Sequence, residues 1–121
     1  KHERWEKVLV AATKQSERLW KPSLDKAVEL EVFLSEKEEL SLRKGAVAHC
    51  IPHGEGLSER MDWKQWQIDK PKAWLAVGPE GDFTAEEVRQ MVAIGAEPVH
   101  LGLHRLRTET AGVAAVAQFV V

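Results

Sequence analysis

The stretch AWLAVGPEGDFTAEEV, residues 73–88, is the most informative part of this sequence, because it passes from an apolar run through a glycine- and proline-rich turn into a helix start. The run AWLAV has no polar alternation, which is typical of a strand buried on both faces. Thr84 and Glu87 have the spacing of a capping box, and Phe83 and Val88 occupy the positions of a hydrophobic staple. The stretch therefore predicts a buried strand followed by a helix that begins at Thr84.

Strands and helices continue to alternate on both sides of this stretch. The predicted strand at residues 73–77 has an apolar predecessor, AVAHCI at residues 46–51, and a successor at residues 99–102. Gly95, which can adopt a left-handed conformation, predicts the end of the intervening helix. The last helix, with Thr108 as its predicted N-cap, is apolar almost all round and is expected to be buried. This order predicts an open, mostly parallel α/β sheet with helices on both faces.

The N-terminal part of the chain is predicted to be mainly helical. Residues 4–20 have apolar side chains at helical spacing, so we expect a helix whose apolar stripe faces the core. Residues 28–33 alternate well enough for a short strand. Ser35 and Glu38 have capping-box spacing, which predicts a short helix that ends before Gly45.

Two features of the sequence have both a functional and a structural interpretation. Gln15 and Arg18 lie on a basic edge of the first predicted helix, which is either a binding surface or only a solvated face. Trp63 and Trp66 are three residues apart, which predicts a short covering helix. They could stack on bases, but tryptophans at helical spacing more often pack against a core.

Composition excludes several classes of protein. The 121 residues include 17 Lys and Arg and 19 Asp and Glu, a net charge of −2, which excludes a strongly basic module that coats nucleic acid. The single cysteine, Cys50, cannot form an internal disulfide and favours a reducing compartment, so we expect a cytoplasmic protein. The apolar stretch at residues 111–121 is well short of the roughly 20 residues needed to cross a bilayer.

Ligands of open α/β sheets bind beyond the carboxyl ends of the strands, so the loop GPEG after residue 77 is a candidate site. Gly78 and Gly81 would let backbone N–H groups approach a ligand closely. The carboxylates of Glu80 and Asp82 disfavour phosphate, and no P-loop lysine follows. A neutral or cationic ligand fits better, although a tight strand-to-helix connection without a ligand explains the loop equally well.

The loop LGLHRLRTET, residues 101–110, is the second candidate, because it concentrates charge directly before the last helix. Arg107 could bind a phosphate or stabilise negative charge on a carbonyl oxygen, or it could simply pair with Glu109 or Glu80. Glu109 is favoured near a helix N-terminus whatever its function.

Three stretches together resemble one known family. GPEGDFTAEEV, VHLGLHRLRTETAGVAA and the upstream ERWEKVLVAATKQSER are similar, in order and spacing, to the RsmE-type 16S ribosomal RNA uridine-N3 methyltransferases of the SPOUT superfamily. The resemblance implies a trefoil-knotted fold, S-adenosylmethionine bound in the knot, and a homodimer with active sites at its interface. It also implies 16S ribosomal RNA of the small subunit as the substrate.

The resemblance also assigns roles by position. Arg107 matches the family's arginine at the reaction centre, and Glu109 or His104 would help to remove the uridine proton. The expected cofactor contacts are Gly78, Glu80, Gly81, Leu101, Gly102 and Leu106. The expected RNA contacts are Gln15, Arg18, His104 and Arg105. No metal is expected, because His49 and Cys50 would point to opposite faces of one strand and His53 alone completes no ligand set.

The sequence also departs from the family pattern. Asp82 replaces a usual glycine, Glu17 replaces another, and residues 103–105 (Leu-His-Arg) replace Pro-Arg-Ile. Family members have an N-terminal RNA-binding domain and then an opening strand and helix, so residues 1–121 are expected to be a single methyltransferase domain without these parts. Two other functions stay open: a nucleotide- or phosphate-binding α/β enzyme, and a noncatalytic dimerisation or RNA-binding module.

Overall fold

The computed structural model describes residues 1–66, 73–102 and 104–120, except for the side chains of residues 37, 38 and 118–120. The chain forms two compact units, residues 1–30 and Glu31–Val121. Leu103, part of the departure from the family pattern, lies outside the described residues.

The first unit is built on α1 (His2–Gln15). A helix was predicted here, but it ends at Gln15 and not at residue 20. The amide of Arg18 donates to the carbonyl oxygen of Thr13 and the amide of Glu17 to that of Lys14, while Glu17 has a φ of 56°. This pattern is a Schellman motif with a left-handed residue after the C-cap, and it stops the helix.

The predicted burial of the apolar stripe of α1 is wrong for this unit, because none of its residues is buried. Trp5 is 48% exposed and Val8 is 59% exposed. Beyond the helix, Leu19 and Trp20 are also exposed. Helical spacing predicts which side chains share a face, but burial depends on a packing partner that the spacing does not specify.

The second unit is a four-stranded sheet with the strand order β2-β4-β1-β3, in which all strand pairs are parallel. The mostly parallel open sheet predicted from the sequence is therefore confirmed. Its elements, in chain order, are α2 (Leu30–Leu34), α3 (Lys37–Ser41), β1 (Lys44–Ala48), β2 (Met61–Asp62), a 3₁₀ turn (Trp63–Gln65), β3 (Ala73–Val77), α4 (Ala85–Ala93), β4 (Ala96–His100) and α5 (Thr108–Val120).

Helices and aromatic side chains cover both faces of the sheet, as expected. Ala46 and Ala48 of β1 lie in one cluster with Ala115 of α5. Val47, between them, lies in a second cluster with Val88 of α4. This alternation along one strand is the two-residue period of a sheet, and it gives the sheet a core on each side.

Trp63 and Trp66 belong to the same core as Ala46, and each is 5% exposed. Their rings stack with centroids 4.8 Å apart. The packing interpretation is therefore confirmed, although Trp63 begins a single 3₁₀ turn and not a longer helix.

The helix start at Thr84 is confirmed in detail. The Thr84 side chain accepts a hydrogen bond from the amide of Glu87, and the Glu87 carboxylate accepts one from the amide of Thr84. Phe83 and Val88 pack in the same hydrophobic cluster. After α4, Gly95 has a φ of 104°, as predicted.

Two predictions upstream of the sheet need correction. Residues 28–33 do not form a strand, since α2 covers Leu30–Leu34. Leucine and glutamate favour helix, and a run this short does not distinguish a strand from one helical turn. A short helix does follow, but Glu36 and not Ser35 is its N-cap, because the Ser35 hydroxyl donates back to the carbonyl oxygen of Val32.

The strands β1 and β4 begin earlier than predicted, at Lys44 and Ala96, and end at Ala48 and His100. Pro98 was assumed to lie before the strand, but it is inside β4. The amide of His49 donates to the carbonyl oxygen of Val99, so the backbone groups of the neighbouring Pro98 face away from β1, toward β2. Proline therefore removes no hydrogen bond between β4 and β1.

The last helix also differs from its prediction. The amide of Ala111 donates to the carbonyl oxygen of Arg107, so Arg107 is the N-cap and Thr108 is already helical. α5 buries Ala111 and Ala115 but exposes Val113 by 71% and Val116 by 53%. The prediction that this helix is buried on all sides is therefore wrong. In the described ranges no helix is long and apolar enough to cross a bilayer.

Candidate functional site

A pocket lies at the carboxyl ends of β1, β3 and β4, the edge of a parallel sheet where ligands bind. The space between its walls is about 500 Å³, part of it open to solvent. Its lining comes from the three segments that follow these strands and from the start of α5: Ala48, His49, Cys50, Val77, Gly78, Pro79, Glu80, Asp82, His100, Leu101, Gly102, His104, Arg105, Leu106, Thr108 and Ala111.

The two predicted loops meet at Gly78. The hydroxyl of Thr108 donates a 2.8 Å hydrogen bond to the Gly78 carbonyl oxygen, 30 residues away in sequence. A Cβ at position 78 would lie 3.0 Å from the backbone nitrogen of Phe83, so with a larger residue the turn would have to shift by a few tenths of an ångström. Glycine allows this close approach without the shift.

Asp82 joins this turn to the segment after β1. Its amide donates to the carbonyl oxygen of Pro79 over 2.8 Å, which closes the turn. One carboxylate oxygen accepts from the amide of Phe83 over 2.7 Å, and the other accepts from the amide of Cys50 over 2.6 Å. The φ of Asp82 is 67°, a left-handed conformation that favours glycine. The carboxylate therefore holds two walls of the pocket together from a strained position.

Two histidines at the carboxyl ends of the neighbouring strands β1 and β4 make the same kind of hydrogen bond to the backbone two residues further on. Ala48 of β1 is paired with Val99 of β4, so His49 and His100 follow at the same level of the sheet. Nδ1 of His49 accepts from the amide of Ile51 over 3.2 Å, and Nδ1 of His100 accepts from the amide of Gly102 over 3.3 Å. An Nδ1 that accepts from an amide has no proton, so each neutral ring has its proton on Nε2.

The environment of His49 favours the neutral form of its ring. Burial lowers the pKa of His49 below its ordinary value of 6.5, since the side chain is only 4% exposed. The positive charge of Arg60, whose guanidinium donates to the His49 carbonyl oxygen, lowers this pKa further, while the Asp82 carboxylate opposes both effects. Nε2 of His49 is buried and has no hydrogen-bond partner among the residues that the structure describes.

The structure brings most of the predicted site residues in this unit to one pocket. The lining includes Gly78, Glu80, Leu101, Gly102 and Leu106 from the expected cofactor set, and His104 and Arg105 from the expected RNA set.

The other predicted residues lie elsewhere. Gly81, Arg107 and Glu109 are exposed and are not among the lining residues. Gln15 and Arg18 belong to the first unit. Among the ion pairs of the described residues none includes Arg107, so the interpretation of Arg107 as one half of an ion pair has no support there.

Sequence reasoning assigned no site role to His49 or Cys50. It treated Asp82 only as a negative charge in the first loop and Thr108 only as a helix N-cap. The signal for the first two was available, because residues 46–51 were predicted as a buried parallel strand and its carboxyl end had to share the edge with the other loops. Nothing in the spacing predicts that the Asp82 carboxylate reaches 32 residues back to Cys50.

The chemistry of the lining favours an organic ligand of neutral or positive charge. Apolar side chains and backbone groups make up much of the pocket lining. Glu80 and Asp82 add carboxylates to it, and their negative charge would repel a phosphate. Within the described part of the chain, no cluster of three or more His, Cys, Asp or Glu side chains has the geometry for a metal ion.

Fold and pocket together define an α/β protein with a candidate small-molecule site at the carboxyl edge of a parallel sheet, built by two loops that contact each other. The sequence profile of the RNA methyltransferase domain family matches residues 1–120, so the chain belongs to that family.

Individual relatives agree with this assignment. The chain is 31% identical to the ribosomal RNA small subunit methyltransferase E of Synechocystis over 98% of its own length and 38% of the relative's. It also resembles two solved structures. One is a putative methyltransferase of Legionella pneumophila in complex with S-adenosylmethionine, with a TM-score of 0.78, 30% identity and coverage of 96% of this chain and 44% of that one. The other is the ribosomal RNA small subunit methyltransferase E of Neisseria gonorrhoeae bound to S-adenosylmethionine. The TM-score is 0.77 and the identity 26%, and the match covers 97% of this chain and 46% of that one. The chain spans less than half the length of the curated relatives it matches.

Proposed function

We propose that this chain is the cofactor-binding and catalytic part of an S-adenosylmethionine-dependent methyltransferase that acts on N3 of a uridine in 16S ribosomal RNA. The proposal is supported by membership of the RNA methyltransferase domain family and by relatives named ribosomal RNA small subunit methyltransferase E. The observation that carries it is the pocket shared by the loops after β3 and β4, which are joined by the Thr108 to Gly78 hydrogen bond.

The residues of this pocket fit S-adenosylmethionine. Val77 and Leu106 offer apolar surface to a nucleoside, and the backbone after Leu101 is open because Gly102 has a φ of 125° and no side chain. The carboxylates match a ligand with positive charge on sulfur. When bound, S-adenosylmethionine supplies an electrophilic methyl group on that sulfur.

The residues around the start of α5 would act on the acceptor base. Arg107 follows Leu106 of the pocket lining and is exposed, so its guanidinium is free to hold a uridine oxygen on which negative charge develops. N3 must lose its proton before or during transfer, and Glu109 or His104 is the proposed acceptor of that proton. These roles need a base extruded from its helix.

We assign RNA contacts to His104 and Arg105 beside the pocket and to Gln15 and Arg18 of the first unit. A domain with a net charge of −2 attracts phosphate backbone weakly, so most RNA affinity would come from a basic part of a longer protein. We further propose a homodimer and a knotted C-terminal helix, as the family resemblance implies. A cytoplasmic location agrees with the single free cysteine.

Calorimetry on this chain tests the proposal. We expect S-adenosylmethionine to bind at one site and ATP not to bind. Binding of ATP alone would favour a nucleotide-binding enzyme, and failure to bind either would favour a noncatalytic module. A second assay incubates the chain with small ribosomal subunits and S-adenosylmethionine and detects N3-methyluridine by mass spectrometry.

A further inference from the structure

Asp82 occupies a conformation that is unfavourable for any residue with a side chain, and yet it is fixed there. A left-handed non-glycine residue persists only where its surroundings determine it, and such residues concentrate at functional sites. Here the determinants are two backbone amides, those of Phe83 and Cys50, at 2.7 Å and 2.6 Å from the carboxylate oxygens. The negative charge is therefore held at a defined place in the pocket wall.

The other charged groups of the lining are less constrained. Glu80 and Arg105 are exposed, where solvent and salt screen their charges, whereas Asp82 is partly buried. Arg60 is a cation near His49, and its guanidinium donates to the His49 carbonyl oxygen. Asp82 is thus the fixed and least screened negative charge among the described lining residues.

We propose that the Asp82 carboxylate makes this pocket prefer S-adenosylmethionine over S-adenosylhomocysteine, the product that remains after methyl transfer. The inference rests on the proposed function and adds a specificity-determining residue to it. When the methyl group leaves, sulfur keeps the electron pair of the broken bond and loses its positive charge. The two molecules are otherwise alike, so a fixed negative charge in the wall stabilises the first and not the second.

The consequence is selective release of product. Contacts to the adenosine and amino acid parts are common to both ligands and cancel in the ratio of their dissociation constants. A contribution from Arg60 or Arg105 does not change when Asp82 is replaced. The ratio therefore reports the charge of Asp82 separately from its role in joining two loops, since loosening the loops weakens both ligands together.

The test is calorimetric titration of the full chain with S-adenosylmethionine and, separately, with S-adenosylhomocysteine. Asp82→Asn removes the charge with little change in volume, and Asp82→Gly removes it while accepting the left-handed backbone without strain. Glu86→Gln is the matched control, because Glu86 is an exposed carboxylate of α4 outside the pocket lining. Thermal melting followed by circular dichroism establishes that each variant is folded.

We expect the preference for S-adenosylmethionine to fall by about five- to thirty-fold in both Asp82 variants, as expected for the loss of one charge pair within a pocket, and to stay unchanged in Glu86→Gln. Equal weakening of both ligands would overturn the inference and leave Asp82 as a structural link only. The inference would also be overturned if the ratio of the two dissociation constants were unchanged in an Asp82 variant that folds. If the unmodified chain binds neither ligand, the proposed function fails first and the inference with it.

Discussion

The hydroxyl of Thr108 donates a hydrogen bond to the carbonyl oxygen of Gly78, and this contact joins the start of α5 to the turn after β3. The two residues belong to the two loops that the sequence marks as candidate sites. Because the bond is partly buried and both residues line the pocket, it holds together the two walls between which the cofactor is proposed to bind.

Replacing this hydroxyl should loosen the pocket. Thr108→Val keeps the shape of the side chain but leaves the Gly78 carbonyl oxygen without its donor, so we expect unfolding to become easier by about 1 kcal/mol. Affinity for S-adenosylmethionine should fall by about threefold to tenfold, as expected when about 1 kcal/mol of preorganisation is lost. Denaturant titration and calorimetry measure the two effects. Thr110→Val, an exposed threonine of the same helix, is the control and should change neither; equal effects of the two substitutions would refute the role of this bond.

Replacing Glu17 by glycine should stabilise the first unit. Its φ of 56° is the left-handed conformation of a Schellman motif, where glycine is preferred. We expect Glu17→Gly to stabilise this unit by about 1 kcal/mol, because the steric penalty of a Cβ disappears. Glu17→Ala keeps the Cβ and should give no such gain. Thermal melting compares them, and a gain in both variants would point to the lost charge and not to the backbone.

We expect the protein to lose stability in mild acid because of His49. Its folded-state pKa is lowered by burial and by Arg60, so below pH 6.5 the unfolded chain binds a proton before the folded chain does. The free energy of unfolding is therefore unaffected by this group above pH 6.5 and falls as the pH drops below it.

Denaturant titrations from about pH 8 down to about pH 5.5 check this prediction, since most carboxylates titrate lower. His49→Asn, which offers an oxygen to the amide of Ile51, should be less stable at high pH but should show a flatter pH dependence. His53→Asn, at an exposed histidine, should keep the original slope. An unchanged slope in His49→Asn would show that another group causes the dependence.

Arg107 should separate turnover from cofactor binding. It is exposed and does not line the pocket, so Arg107→Ala should change S-adenosylmethionine affinity by less than about threefold. Methyl transfer to ribosomal RNA should fall by about a hundredfold or more, the usual effect of removing a donor to developing negative charge. Arg43→Ala, an exposed arginine outside the pocket, should affect neither quantity. A parallel loss of affinity and turnover would instead make Arg107 a binding or structural residue.

The part of the fold that could be predicted is the part that local interactions determine. The capping box of Thr84 and Glu87 and the left-handed Gly95 define α4 through contacts within a few residues. The apolar runs of β1 and β3 are long enough to identify strands of a parallel sheet. The predicted burial holds for β1 but is wrong for β3, an edge strand in which all five residues are only half-buried.

The errors arose where tertiary context decides. The two-residue strand β2 has no sequence pattern of its own, and it forms only because β4 offers an edge. Pro98 was placed before a strand, yet it lies inside β4. Helical spacing in α1 and α5 predicted the helices but not the exposure of Val8 and Val113, because spacing shows which side chains share a face and not what packs against that face.

The same distinction holds for the site. The two glycine-bearing loops could be located because carboxyl ends of parallel strands share one edge. The contribution of Cys50 and His49, and the contact of Asp82 with the segment after β1, depend on strand order, which a single sequence does not specify.

The central claim is that one sulfonium ligand occupies the space between these two loops. Titration of isotopically labelled chain with S-adenosylmethionine, followed by amide chemical shifts, tests this claim most directly. We expect saturable shifts concentrated at the amides of Gly78, Leu101, Gly102 and Leu106, with the rest of the sheet unchanged. Shifts confined to other surfaces, or none at saturating ligand, would contradict it.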